Sequence, residues 1–161
     1  MNLLSIIVPV YNEEGSIGSL IQKLKKLDLS ISNFRKEIII VNDGSTDRSA
    51  SIIESFDEIV IKNQDNQGKG SAVQNGIESA NGNYILIQDG DLEYNPDDII
   101  KMCNQLGSSE NMSIYGSRYK PFYLGLFPKF YNKQNINYFR KIFKTSYQGT
   151  NSQWCRGYTN F

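Results

Sequence analysis

Four times along this chain, a short run dense in β-branched residues gives way to a segment with helical spacing. The runs are Leu4–Val10, Glu37–Val41, Ile59–Ile61 and Tyr84–Gln88. Bounded by polar turns, such runs read as buried strands. After the first, Ile17, Leu20, Ile21, Leu24 and Leu27 fall at offsets 0, 3, 4, 7 and 10, the stripe of an amphipathic helix. Ile52, Ile53 and Phe56 mark a shorter helix after the second run, and Gly68-Lys69-Gly70 opens a third helix carrying Ala72, Val73, Gly76, Ile77 and Ala80. A fourth helix follows Asn95-Pro96, with Asn95 expected as N-cap and Pro96 as first helical residue. Met112–Gly116 reads as a fifth strand. Parallel neighbours need crossover helices, so the alternation predicts an α/β fold: an open, mostly parallel sheet with helices on both faces.

The length of 161 residues suits one domain with its own core. More is excluded by the absence of histidine. Without it there is no Ser-His-Asp triad, no Cys-His nucleophile, no His-ligated zinc and no imidazole proton shuttle. Acid–base or metal chemistry falls to Asp, Glu, Tyr, Lys or Cys. The two cysteines, Cys103 and Cys155, form no C-x-x-C pair, which fits a reducing compartment. No apolar run reaches the length of a membrane-spanning helix. The opening Met1-Asn2-Leu3-Leu4 lacks a basic n-region and is not expected to be a signal peptide, so a cytoplasmic location is expected.

Equal numbers of acids and bases, 17 of each, hide a sharp asymmetry. Residues 1–110 carry every acid and 9 bases, a net charge of −8, whereas residues 111–161 carry 8 bases and no acid. The same tail holds 14 of the 19 aromatic residues. The break suggests two jobs: an acidic α/β body, and a basic, aromatic segment. For the tail three readings stand: an interfacial element near anionic lipid, an ordinary amphipathic edge, or a disordered end. The acidic body would repel a phosphate backbone, so nucleic acid is not expected as a partner.

Ligands of open parallel sheets sit outside the carboxyl ends of the strands. Three polar clusters fall there: Tyr11-Asn12-Glu13, Asn42-Asp43-Gly44-Ser45 and Asp89-Gly90-Asp91. Asp89 and Asp91 place two carboxylates close together, where they repel unless a cation shares them. Hard divalent ions take such oxygens, commonly with substrate phosphates completing the shell. Glu93 is a candidate third donor. The alternative is a solvated acidic turn. The second cluster reads either as a turn with a helix cap or as a carboxylate, Asp43, held out for a nucleobase N–H. An EF-hand is not expected, because its loop wants Gly at position six and Tyr94 stands there. Gly68-Lys69-Gly70 completes neither G-x-G-x-x-G nor G-K-[S/T], yet a glycine-rich helix start still offers N–H donors to phosphate.

In this order these residues resemble glycosyltransferase family 2, inverting enzymes with the Rossmann-like GT-A fold. The carriers are Ile6-Ile-Val-Pro-Val-Tyr-Asn-Glu-Glu14, Ile38-Ile-Ile-Val-Asn-Asp-Gly-Ser-Thr-Asp47, Asn66-Gln-Gly-Lys-Gly-Ser-Ala72 and Gln88-Asp-Gly-Asp-Leu-Glu-Tyr-Asn-Pro96. A fifth, Tyr115-Gly-Ser-Arg-Tyr119, looks like the branch related to dolichyl-phosphate mannose and glucose synthases. The likeness covers residues 4–119. It implies a nucleotide-sugar-binding GT-A domain over 1–119, and a segment over 120–161 without a matching motif. It further implies that Pro9, Tyr11, Glu13 and Lys69 line a nucleotide-sugar pocket and that Asp43 bonds the base. Asp89 would touch ribose or metal, Asp91 would bind Mg²⁺ or Mn²⁺ with Glu93 as a further ligand, and Arg118 would face the acceptor phosphate. One departure is Asn42, where the family usually has Asp.

The implied reaction is displacement at a sugar's anomeric carbon with a nucleoside diphosphate leaving. Transfer to a hydroxyl usually needs a carboxylate base. No acid follows Glu110. Three outcomes stay open: a phosphate acceptor that needs no base, such as a polyprenyl phosphate at the cytoplasmic membrane face; a base from another chain; or a non-catalytic nucleotide-sugar binder.

Overall fold

A computed structural model describes residues 1–106, together with the backbone of 130–132. The elements run β1 (Asn2–Val10), α1 (Ile17–Lys26), β2 (Phe34–Asp43), α2 (Ser49–Glu54), β3 (Val60–Gln64), α3 (Lys69–Ser79), β4 (Tyr84–Ile87), α4 (Asp98–Gln105) and β5 (Phe130–Asn132). They build one sheet in the order β3-β2-β1-β4-β5. The first four strands are parallel, and Ile6 of β1 registers with Ile38 of β2 and Leu86 of β4. At the other edge, β5 pairs antiparallel with β4, Ile85 opposite Tyr131.

Alternation along β1 sends its side chains to two faces. Leu4, Ile6, Val8 and Val10 join Leu20 of α1, Ile53 of α2 and Ile99 and Cys103 of α4 in the larger core. Ile7 joins Ile39, Val41 and Ile85 beneath Ala72 of α3 in the smaller one. Helices therefore cover both faces, as the pattern predicts. Gly76 lets α3 lie flat on the sheet: a Cβ there would run into the Ile7 side chain. Fully burying an Ile or Leu is worth roughly 1.5–3 kcal/mol, and Leu4, Ile6, Ile7, Ile39 and Ile40 are all fully buried. Cys103 belongs to this core, and burial pushes its thiol up to about 12.

The details differ from the sequence reading in three places. Asn42-Asp43, expected in a turn, still belong to β2, paired with Asn63 and Gln64 of β3. β3 itself runs on through Lys62, Asn63 and Gln64, because an edge strand pairs through its backbone whatever its side chains. Helix α4 begins at Asp98, not Pro96. Asn95 does cap, but it caps a tight turn: its Oδ1 accepts the Asp97 N–H and its carbonyl accepts the Asp98 N–H. The expected strand Met112–Gly116 lies outside the described residues, and β5 had no forerunner in the sequence reading. Among the described residues no helix is long and apolar enough to cross a membrane.

Candidate functional site

Strand order reverses between β1 and β4: α1 returns the chain on one side of β1, and α3 returns it to the other side and the opposite face. A crevice opens where two such crossovers diverge. There lies a cleft of about 170 Å³, lined by Pro9, Tyr11, Glu13, Asp43, Lys69, Ala72, Asp89 and Asp91 among others. Seven residues singled out in the sequence thus meet at one place. A larger hollow of about 450 Å³ lies elsewhere, around Leu27, Phe34 and Lys36, and none of these candidates lines it.

The loop after β1 is clasped to the loop after β2. Asn12 takes a left-handed conformation, φ 55°. Its Oδ1 accepts the Thr46 N–H at 2.8 Å, and its own N–H donates to Ser45 Oγ at 3.1 Å. The Glu13 N–H donates to Ser49 Oγ at 2.8 Å, and the Glu14 N–H to Asp47 Oδ2 at 3.1 Å. Glu14 accepts in turn from the Arg48 backbone N–H and guanidinium, which hold its carboxyl below the ordinary range. The clasp leaves Tyr11 at the cleft with 47% of its surface exposed, a ring free to take a flat ligand.

Asp43 is only 3% exposed, and its carboxylate is already engaged. Oδ1 accepts from Gln64 Nε2 at 2.7 Å and from the Gln67 N–H at 2.9 Å, while Oδ2 accepts the Gly68 N–H at 2.8 Å. Asp43 thereby hangs the start of α3 on the end of β2. The loops that follow β2 and β3 pass close to each other here: Gly44 sits at φ +70°, where a Cβ would lie 2.7 Å from the Asn66 nitrogen. Asn42, the departure from the usual acid, is buried. It accepts the Ser45 N–H and donates from Nδ2 to Asn63 Oδ1, a donation no carboxylate could make.

On the β4 side, the Gln88 N–H donates to the Ile7 carbonyl at 2.9 Å, carrying the sheet pairing to the foot of Asp89. Gly90 then passes close under Glu13, whose Cγ would stand 3.3 Å from an added Cβ. Glu13 accepts from Ser16 Oγ at 2.8 Å. Lys69, the first residue of α3, reaches across the cleft to Asp89, Nζ to Oδ1 2.6 Å. Asp91 Oδ1 accepts the Glu93 N–H at 3.0 Å across Leu92, which is left-handed at φ 61°. A left-handed leucine is uncommon and costs on the order of 1–2 kcal/mol. Glu93 does not line the cleft. Among the described residues no three acidic or cysteine side chains gather closely enough to hold a metal ion, so Asp89, Asp91 and Glu93 form no three-carboxylate cage. Arg118 lies outside the described residues. Sequence reading missed Asn12, Ser45, Thr46, Asp47 and Ser49 as a clasp. For Ser45, Thr46 and Asp47 the signal was the Asn-Asp-Gly-Ser-Thr-Asp run, read there only as a turn with a cap or as a base contact.

Known proteins resemble this chain in sequence, and solved structures resemble it in fold. A dodecaprenyl-phosphate galacturonate synthase of Rhizobium johnstonii is 35% identical over 123 residues, 71% of this chain and 36% of that protein. An undecaprenyl-phosphate 4-deoxy-4-formamido-L-arabinose transferase of Pseudomonas aeruginosa is 31% identical over 124 residues, 73% of this chain and 35% of the relative. The chain thus spans about a third of the length of these relatives. Among solved structures, S. aureus TarS residues 1–349 match with a TM-score of 0.65 at 20% identity, over 87% of this chain and 49% of that one. Mycobacterium tuberculosis glucosyl-3-phosphoglycerate synthase, solved with Mn²⁺, UDP and phosphoglyceric acid, matches with a TM-score of 0.60 at 22% identity, over 75% and 44%. These likenesses give the fold as GT-A. The profile of "Glycosyl transferase family 2" matches residues 5–158, across residue 119 where the motifs end and through nearly the whole chain, which therefore belongs to that family.

Proposed function

We propose that this chain binds a nucleoside-diphosphate sugar in the cleft between β1 and β4 and transfers the sugar, with inversion, to a polyprenyl phosphate. The observation that carries the reading is the meeting of Pro9, Tyr11, Glu13, Asp43, Lys69, Asp89 and Asp91 around one cleft at the carboxyl ends of the strands. The named activities of the two relatives, both acting on polyprenyl phosphates, support the acceptor class.

Each side chain has a chemical part in this proposal. Tyr11, exposed at the rim, lies flat against the base. Asp43 keeps one lone pair of Oδ2 beyond its Gly68 bond and offers it to the base N–H. Lys69 meets the diphosphate. Asp89 and Asp91 supply oxygen donors alone and would hold a hard divalent cation, Mg²⁺ or Mn²⁺. Two carboxylates fit that role because phosphate completes the shell, and no third acid is required. When bound, such a cation neutralises charge growing on the leaving diphosphate. A phosphate acceptor is largely ionised near neutral pH and needs no general base. Residues 1–119 would hold the donor, and Arg118 and the basic, aromatic residues 120–161 would meet the acceptor phosphate at the membrane surface.

The test is calorimetric titration with UDP- and GDP-sugars, with Mn²⁺ or with chelator, alongside an assay of nucleoside diphosphate release. Asp91→Asn is expected to abolish metal-dependent donor binding, a loss of about 100-fold or more, without changing the thermal midpoint. Unchanged donor affinity in Asp91→Asn refutes the metal assignment. Binding without release identifies a binder and not an enzyme.

A further inference from the structure

The Lys69–Asp89 contact joins the one lysine that lines the cleft among the described residues to the first of the two carboxylates offered to the cation. The cleft is lined by four acids, Glu13, Asp43, Asp89 and Asp91, against Lys69. Neutral donors hold three of these acids: Glu13 accepts from Ser16, Asp43 from Gln64, Gln67 and Gly68, and Asp91 from the Glu93 N–H. Asp89 is the one that meets a cationic side chain, with Lys69 Nζ 2.6 Å from its Oδ1.

We infer that Lys69 is a built-in counter-ion that competes with the divalent cation for Asp89 and is drawn off by the donor's diphosphate. This rests on the donor-site reading above and goes beyond it, since it makes cation and nucleotide mutually dependent. A divalent ion arriving alone must displace an ammonium and then sit beside it. A diphosphate arriving alone meets the charge of Asp89 and Asp91. Together each removes the other's obstacle: the ion takes Asp89, and the ammonium turns to phosphate oxygens. Affinity of each is then raised by the other by one common factor.

The local architecture makes the exchange cheap. The backbone just before Lys69 is pinned, because Asp43 holds the Gln67 and Gly68 N–H groups. Buried Ala72 and the close approach of Gly76 seat α3 on the sheet. Lys69 can leave Asp89 by rotating its own side chain, which is 49% exposed, with no backbone movement. A half-exposed pair is weak enough to break and strong enough to bias the equilibrium.

The experiment is titration of the full chain with MnCl2 alone, free Mn²⁺ being counted by electron paramagnetic resonance. It is then repeated with saturating UDP or GDP. Lys69→Met is expected to tighten Mn²⁺ binding in the absence of nucleotide by about fivefold, the size of a favourable half-exposed pair. Lys69→Arg keeps the charge and is expected to show no such tightening of Mn²⁺ binding without nucleotide. In an Asp89→Asn background, Lys69→Met is expected to change nothing, as the cycle requires if the two groups act on each other. The factor by which nucleotide tightens Mn²⁺ is expected to shrink in Lys69→Met. Equal or weaker Mn²⁺ binding by Lys69→Met overturns the inference, and so does a gain that persists without Asp89. If wild type and Lys69→Met bind Mn²⁺ equally, the counter-ion role falls and the metal site stands. If neither binds Mn²⁺, both fall. Circular dichroism and the thermal midpoint check that each variant is folded.

Discussion

Asp43 shows how much one side chain can carry in this protein. Three donors converge on a carboxylate that is 3% exposed, so the group acts as the hinge pin of the Gln64–Gly68 loop before it acts on any ligand. Asp43→Asn keeps the shape but turns one acceptor oxygen into a donor, which then faces an N–H. Leaving a buried donor unmatched costs about 1–3 kcal/mol. Asp43→Asn is therefore expected to lower stability by that amount in urea unfolding, even without nucleotide. An unchanged unfolding midpoint would show that the loop does not depend on the carboxylate. This loop-holding role was not legible in the sequence: the Asp after a strand suggested a turn or a base contact, while its bonds to residues 21–25 positions away could not be read from local pattern. Asn42 was equally opaque. Its amide matters because Asn63 lies opposite, and only strand pairing puts it there.

At the scale of elements, the far end of the sheet is tied by a second carboxylate. Glu37 on β2 accepts from Ser5 Oγ of β1 at 2.5 Å and from the Asn81 and Gly82 N–H groups of the loop before β4, at 2.7 and 3.1 Å. Burial alone would raise its carboxyl, but the bonds from Ser5, Asn81 and Gly82 outweigh it and hold the group below 4.5. A depressed folded-state value means stability that is present above the unfolded value, near 4.5, and is lost as pH falls through the folded one. Glu37→Gln is expected to destabilise the protein near pH 7 by on the order of 1 kcal/mol, solvent screening included. The gap to wild type is expected to close as pH drops below about 4.5, in thermal unfolding followed across pH 3–7. A constant gap would remove Glu37 from the acid response. Helices and central strands were legible because their apolar residues repeat at 3.6 or run unbroken. Strand ends were not, since Lys62-Asn63-Gln64 pairs through backbone alone and polar Asn42-Asp43 extends β2.

At the scale of the whole molecule, charge divides an acidic body, residues 1–110, from a basic, aromatic segment, residues 111–161. If residues 120–161 meet a lipid-borne acceptor, the full chain should float with liposomes containing anionic lipid and much less with neutral ones. Each Lys or Arg near an anionic surface contributes about 1 kcal/mol. Replacing Lys129, Arg140 and Lys141 with Gln is expected to cut recovery about tenfold or more at low salt. Equal flotation by wild type and this variant would remove the tail's charge from membrane binding. From the sequence alone came the α/β alternation, the two-faced sheet and the polar residues at the strands' carboxyl ends, because spacing and composition are local properties that survive without coordinates. Tertiary structure decided the rest: that strand order reverses between β1 and β4, that Glu13, Asp43, Lys69, Asp89 and Asp91 share one cleft, and that Glu93 does not line it. Those outcomes depend on which strand lies beside which and on which hydrogen bonds close the loops. No periodicity encodes a contact between residues 20 apart, such as Lys69 and Asp89, so that ion pair became visible only in the folded chain.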